Sequence, residues 1–218
     1  PMMLMPFFLF WKYRKKRDLY LGLGLVLASL GWVAYALLST TDLRIVRSHG
    51  TVEVLRHYLK FPLDFVRVVR RTLLNADLRD FYFRSFVGVL GWLDAPLRPF
   101  FYPWLGAGLG LCGLVSFSWP KRVEDVQARA VLSAMAVTSA LLVFLALLVT
   151  WTPHPARVID GVQGRYFVVP VLLAAYAMGG LSLKPGLLRR YTGWLFLAAF
   201  AGLSLTALIL GLQDRFAG

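Results

Sequence analysis

A chain of 218 residues, 58% hydrophobic and only 16% charged, with a mean hydropathy of +0.64, has too little polar surface to cover a water-soluble domain. Soluble enzymes and disulfide-stapled secreted modules are excluded, since the single Cys112 allows no intrachain bridge. The net charge of +13 does not indicate nucleic acid: no aromatic-basic module accompanies it, and Lys and Arg collect in loops between apolar runs, as on the cytoplasmic side of membrane proteins.

Pro1 to Trp11 is apolar but 11 residues long, and the basic run Lys12, Arg14, Lys15, Lys16, Arg17 follows it. A secretory signal has the reverse order. The segment reads as the truncated end of an earlier span, which makes this the C-terminal part of a longer protein. Crossing the ~30 Å hydrocarbon layer takes about 20 apolar residues. Five windows meet or approach that length: Leu19 to Leu38, Phe100 to Phe117, Ala130 to Trp151, Tyr166 to Leu183 and Tyr191 to Leu212. The second and fourth carry Pro103 and Pro170 near their starts, where a missing N–H costs least.

Lys and Arg number five in residues 12 to 18, three in 118 to 129 and three in 184 to 190, eleven in total. Against them stand Arg157, Arg165 and Arg215 in the alternate short segments. That bias predicts cytoplasmic basic loops, with the 39 to 99 segment, the 152 to 165 loop and the C-terminus outside.

The 39 to 99 segment is too long for a connector. Val52, Leu55 and Leu59 fall at helical spacing opposite Glu53, Arg56, His57 and Lys60. Pro62 and Asp64 suit the first turn of a second helix, in which Leu63, Val66, Val69 and Leu73 repeat every three or four residues. Such helices lie in the headgroup layer, and Arg67, Arg70 and Arg71 then either meet lipid or substrate phosphates or form a plain solvated face. SFVGVLGWLD, Ser85 to Asp94, is too short to span. Gly88 and Gly91 predict a bent or re-entrant piece bringing Trp92 and Asp94 to the outer mouth of the second span, with an ordinary buried connection as the alternative.

The span interiors hold no Asp, Glu, Lys, Arg or His, which disfavours proton-coupled carriers and ion pumps. His49, His57 and His154 are all external but share no ligand spacing, and HExxH, CxxC and Gly-rich nucleotide loops are absent, so no metal or cofactor is identified. Gly106 with Gly110, and Ala198 with Gly202, form small-xxx-small pairs expected to bring helix backbones together. Trp104, Trp119, Trp151, Tyr191 and Trp194 are expected interface anchors.

The most polar short stretch is TPHPARVIDGVQGRYF, residues 152 to 167. Gly161 and Gly164 permit a tight bend that delivers Arg165 and Tyr166 to the start of the fourth span, beside Asp160 and Gln163. Arg165 there offers a planar fork for a phosphate, or else snorkels and pairs with Asp160.

GVQGRYF together with SFVGVLGWLD resembles the bacterial domain-of-unknown-function family 2142 of multi-pass predicted membrane proteins, over the long external segment to the fourth span. That family is similar in fold to the GT-C glycosyltransferases, which use polyprenyl-phosphate sugars on the external face. The resemblance implies a lipid-linked sugar as partner and a catalytic carboxylate in a first external loop, which would precede Pro1 in the N-terminal part of the same protein. It carries over only Gln163, Arg165 and Tyr166 as substrate-binding residues, with Trp92 and Asp94 as further candidates; Asp160 joins them from the polar loop itself. A divalent metal in the full-length protein stays open.

The expected architecture is an all-α integral membrane protein. Residues 1–38 hold the truncated helix, a basic loop and the first span; 39–99 form an external segment of interfacial helices; 100–218 form a four-span bundle. The expected role is the membrane part of a GT-C-like glycosyltransferase in cell-envelope glycan assembly at the bacterial inner membrane. The alternative is a non-enzymatic protein, either a carrier subunit for lipid-linked sugars or an assembly scaffold.

Overall fold

The computed structural model describes residues 16–39, 49–90, 93, 95–120, 123–179 and 187–216. Each apolar window is helical over most of its described residues: α1 is Lys16–Ser39, α5 Phe101–Ser116, α6 Val123–Thr150, α7 Val168–Gly179 and α8 Leu187–Phe216. Between α1 and α5 lie α2 (Thr51–Lys60), α3 (Pro62–Leu74), α4 (Ala76–Val87) and the strands β1 (Val89–Leu90) and β2 (Ala95–Pro96). A 3-10 turn, Gly164–Phe167, leads into α7.

Of these helices, α6 and the Gly193–Phe216 part of α8 are long and apolar enough to cross a membrane. Among the described residues, two of the five expected spans thus pass by length and composition. At 1.5 Å per residue, α5 rises about 24 Å and the described part of α7 about 18 Å. At their described ends, Phe117 is extended and Gly164–Phe167 winds as a tighter turn. Residues 180–183 of the fourth window lie outside the described residues.

The chain forms two compact units, one from residues 1–75 and 134–162 and the other from 76–133 and 163–218. In the first, Pro62 separates two amphipathic helices. The residue before a proline is driven from helical backbone, and Phe61 accordingly sits at φ −123°, ψ 71°, ending α2 and opening α3. Against these helices lies the 152–162 loop. Ile159, with no exposed surface, donates its N–H to the Thr72 hydroxyl at 2.9 Å, and Thr72, equally buried, donates to the Val68 carbonyl at 2.9 Å. Thr152 accepts from Asp160 N–H at 3.0 Å, which folds the loop back on itself.

The apolar flank anticipated on α2 and α3 faces away from the protein. Val52, Leu59, Leu63, Val66 and Leu73 are exposed, while Val54, Tyr58, Val68, Val69 and Thr72 make the packed side. Each helix therefore has three sectors, one packed, one apolar and exposed, and one charged. Among the stripe residues of α3, Val69 alone is buried.

In the second unit, Leu97, Phe101, Tyr102, Leu105 and Ala207 form a core, with Val87, Phe200, Leu203 and Leu210 packed on it. Arg98 closes its rim by a bidentate contact with Asp214, 2.7 and 2.8 Å. At the opposite ends of α5 and α7, Ser118 donates to the Gly179 carbonyl at 2.6 Å, and Arg129 donates both to the Ser118 hydroxyl at 2.8 Å and to the Ser118 carbonyl. These bonds satisfy carbonyls that helix C-termini leave orphaned.

Two expectations are corrected here. The segment after Ser85 is not a re-entrant helix: α4 ends at Val87, and Val89 and Leu90 pair antiparallel with Pro96 and Ala95 in a short hairpin. Gly91, Trp92 and Asp94 lie outside the described residues. Nor, among the described residues, do the small-xxx-small pairs join backbones, since nothing there lies within 4 Å of a Cβ placed at Gly110 or Gly202, while Gly106 faces the Phe83 ring and Gly108 the Phe200 ring. Aromatic side chains, which spacing alone does not assign, fill those grooves. The expected interface aromatics Trp104, Trp119, Trp151, Tyr191 and Trp194 are all exposed.

Tyr102 locks the hairpin to α5. Its hydroxyl accepts from Leu97 N–H at 3.1 Å and donates to the Gly88 carbonyl at 3.0 Å. Tyr102→Phe strands both groups in a buried place and is expected to cost about 2 kcal/mol. Thermal unfolding in detergent should show this drop with helical content unchanged.

Candidate functional site

The two glycines of GVQGRYF do different work. Gly161 adopts φ 73°, a left-handed turn beside the Trp151 indole that a side chain would both strain and crowd. Gly164 is buried where a Cβ would run into the Tyr82 carbonyl and the Phe86 backbone. Its N–H donates to the Ser85 hydroxyl at 2.7 Å, and Ser85 donates to the Phe81 carbonyl at 2.7 Å. Ser85 opens SFVGVLGWLD, so the two sequence motifs meet through one hydrogen bond and one backbone contact. Nothing in the spacing of SFVGVLGWLD marks Ser85 as the contact residue.

This junction fixes the residues that follow. Gln163 precedes the 3-10 turn with extended backbone and accepts from Tyr166 N–H at 3.1 Å. The Gln163 Oε1 atom is shielded from solvent, with no hydrogen-bond partner among the described residues. Arg165 is exposed with its guanidinium 5.9 Å from the centre of the Tyr166 ring, itself exposed. On α4, Arg84 pairs with Asp80 at 2.7 Å and lies 5.5 Å over the Tyr102 ring. The Arg165 guanidinium and the Tyr166 ring are thus neighbours, and Gln163 joins Tyr166 through its backbone carbonyl; Trp92 and Asp94 fall outside the described residues.

A family model described as a predicted membrane protein, DUF2142, matches residues 1–175. The chain belongs to this family. Curated proteins and solved structures give no match to it. The match to DUF2142 reaches further toward the N-terminus than the motifs alone indicated, taking in α1 and the stretch before it.

In the first unit, Asp160 is exposed and gives its backbone N–H to Thr152. Arg67 is paired with Asp64 at 2.5 Å, and Arg70 and Arg71 are exposed on the charged sector of α3. Sequence spacing gave no reason to group the histidines, yet this DUF2142 chain brings them together. The His154 ring lies 4.9 Å from that of His57 and 5.3 Å from that of His49, and 5.8 Å from Tyr58, all in edge contact. His57 Nε2 lies 3.4 Å from the Asp64 carboxylate. Among the described residues no three His, Cys, Asp or Glu side chains converge as metal ligands. Burial, then the neighbouring His57 and His49, hold His154 below its ordinary value, with Glu53 acting the other way. Burial and Asp64 push the Tyr58 phenol up.

Proposed function

We propose that this DUF2142 protein is the membrane part of a GT-C-like glycosyltransferase that takes a polyprenyl-phosphate-linked sugar on the external face of the bacterial inner membrane, in cell-envelope glycan assembly. The observation that carries this reading is Gln163, whose shielded Oε1 has no donor among the described residues. A buried acceptor left empty costs about 1–3 kcal/mol, which a bound hydroxyl would recover. A sugar supplies such hydroxyls. Beside it in sequence, exposed Arg165 provides the fork for the adjoining phosphate, and Tyr166 an amphipathic wall.

Sidedness supports the same reading. The bias of Lys and Arg toward the alternate loops argues that the 39–99 segment, the 152–165 loop and the C-terminus lie outside. The bonds Thr72 to Ile159, Ser85 to Gly164 and Arg98 to Asp214 each join two of these. The exposed apolar sector of α2 and α3 suits an interfacial position, with Arg70 and Arg71 at the level of lipid phosphates and Asp160 near the outer rim.

Charge on the phosphate would develop as the sugar leaves, so a fixed guanidinium acts mainly on the transfer step. Arg165→Ala is expected to cut glycolipid synthesis by about 100-fold in the full-length protein at normal abundance. Gln163→Leu, which cannot donate or accept, is expected to weaken sugar binding about tenfold. Unchanged glycolipid output from Arg165→Ala would refute the assignment, leaving the carrier or scaffold reading.

A further inference from the structure

We propose that His49, His57 and His154 form a proton-operated latch, which holds α2 against the 152–162 loop at neutral pH and releases it when the medium at that face acidifies. The latch does not depend on the sugar-transfer reading. Its geometry is a set of three imidazoles from three parts of the chain. His49 precedes α2, His57 lies on α2, and His154 lies in the loop with its ring against both, as well as against Tyr58.

Neutral imidazoles pack edge to face like other aromatic rings. Protonation changes the contact, because two imidazolium rings with centres near 5 Å repel across a partly dry gap. The surrounding charges are unevenly placed. Asp64 of α3 stands 3.4 Å from His57 and also holds Arg67, so one proton on His57 has a counter-ion. His154 has Glu53 as the acidic group acting on it. Arg56, exposed one residue before His57, and Lys60, which lies over the Phe61 ring that itself touches His57, are the other cations of α2. In the loop, Arg157 and Asp160 are exposed, and Tyr58 stays a neutral phenol throughout the range.

The sign follows from the lowered His154 value. A histidine that titrates lower when folded than when unfolded stabilises its surroundings above the ordinary histidine range, and that stabilisation is lost as pH falls through the lowered value. Acid therefore opens the contact, and neutral pH closes it.

Hydrogen exchange of the full chain in nanodiscs, corrected for the intrinsic pH dependence of exchange, tests the latch. Between pH 7.5 and pH 5, protection in 51–60 and 152–162 should fall at least tenfold and reversibly, while that in 101–116 stays constant. In His154→Gln, which keeps a polar side chain but cannot charge, the pH dependence of both segments should vanish. Should that variant fail to fold, titration of labelled histidines in the unmodified protein replaces it: one imidazole must titrate below the ordinary range at the pH where protection is lost. Equal protection at both pH values, or the same acid loss in folded His154→Gln, or three histidines titrating normally, would each overturn the proposal.

Discussion

Gly164→Ala is expected to be among the most damaging single changes available in this chain, lowering stability by about 3 kcal/mol or more. The reason is what a methyl group would meet. Its nearest neighbours are the Tyr82 carbonyl and the Phe86 N–H, which are parts of the α4 backbone rather than the ends of flexible side chains. Relief requires α4 to move away from the 3-10 turn, and that breaks the 2.7 Å bond from Gly164 to Ser85. Ser85→Ala removes the bond without the clash and should cost about 1–2 kcal/mol, leaving Gly164 N–H unsatisfied. Thermal unfolding in detergent ranks the two. If Gly164→Ala were as mild as Ser85→Ala, the close approach of α4 to the turn would be wrong.

Thr72→Val is the second large effect, expected at about 2–3 kcal/mol. Valine matches threonine in shape, so packing is kept and the loss is polar. Thr72 and Ile159 have no exposed surface, and the Ile159 N–H has the Thr72 hydroxyl as its partner at 2.9 Å. Water cannot reach the stranded donor. Thr72→Ser, which retains the hydroxyl, should recover most of the difference, and faster hydrogen exchange at Ile159 in Thr72→Val would locate the damage. Equal stability for the valine and serine variants would mean that the loop is held by packing alone.

What could be read from the residues was mostly local. Long apolar runs gave the helices, because in such sequences composition alone decides that a backbone must satisfy its own hydrogen bonds. Pro62 gave the break between α2 and α3, and the amphipathic spacing gave the apolar sector that stays exposed. Positions of contact were harder. His57 and His154 lie in different elements nearly a hundred residues apart, and no periodicity links them. Gly106 and Gly110 have identical spacing signals, yet one receives the Phe83 ring and the other nothing, since a pattern on one helix does not say what lies opposite. The eight apolar residues after Ser85 suited a re-entrant helix as well as a hairpin, and Tyr102, fourteen residues from Gly88, decided for the hairpin. Of the candidate site, the motif glycines were legible as bends. That Gly164 is also a seat for α4 was not, because crowding is a property of two segments.

The knot at Ser118, Arg129 and Gly179 bears on how the second unit holds distant parts of the chain together. It ties the residues after α5 to the last described residue of α7, 61 positions away in sequence, through a serine hydroxyl that the Arg129 guanidinium also grips. Loss of that one guanidinium would therefore loosen the ends of two helices at once.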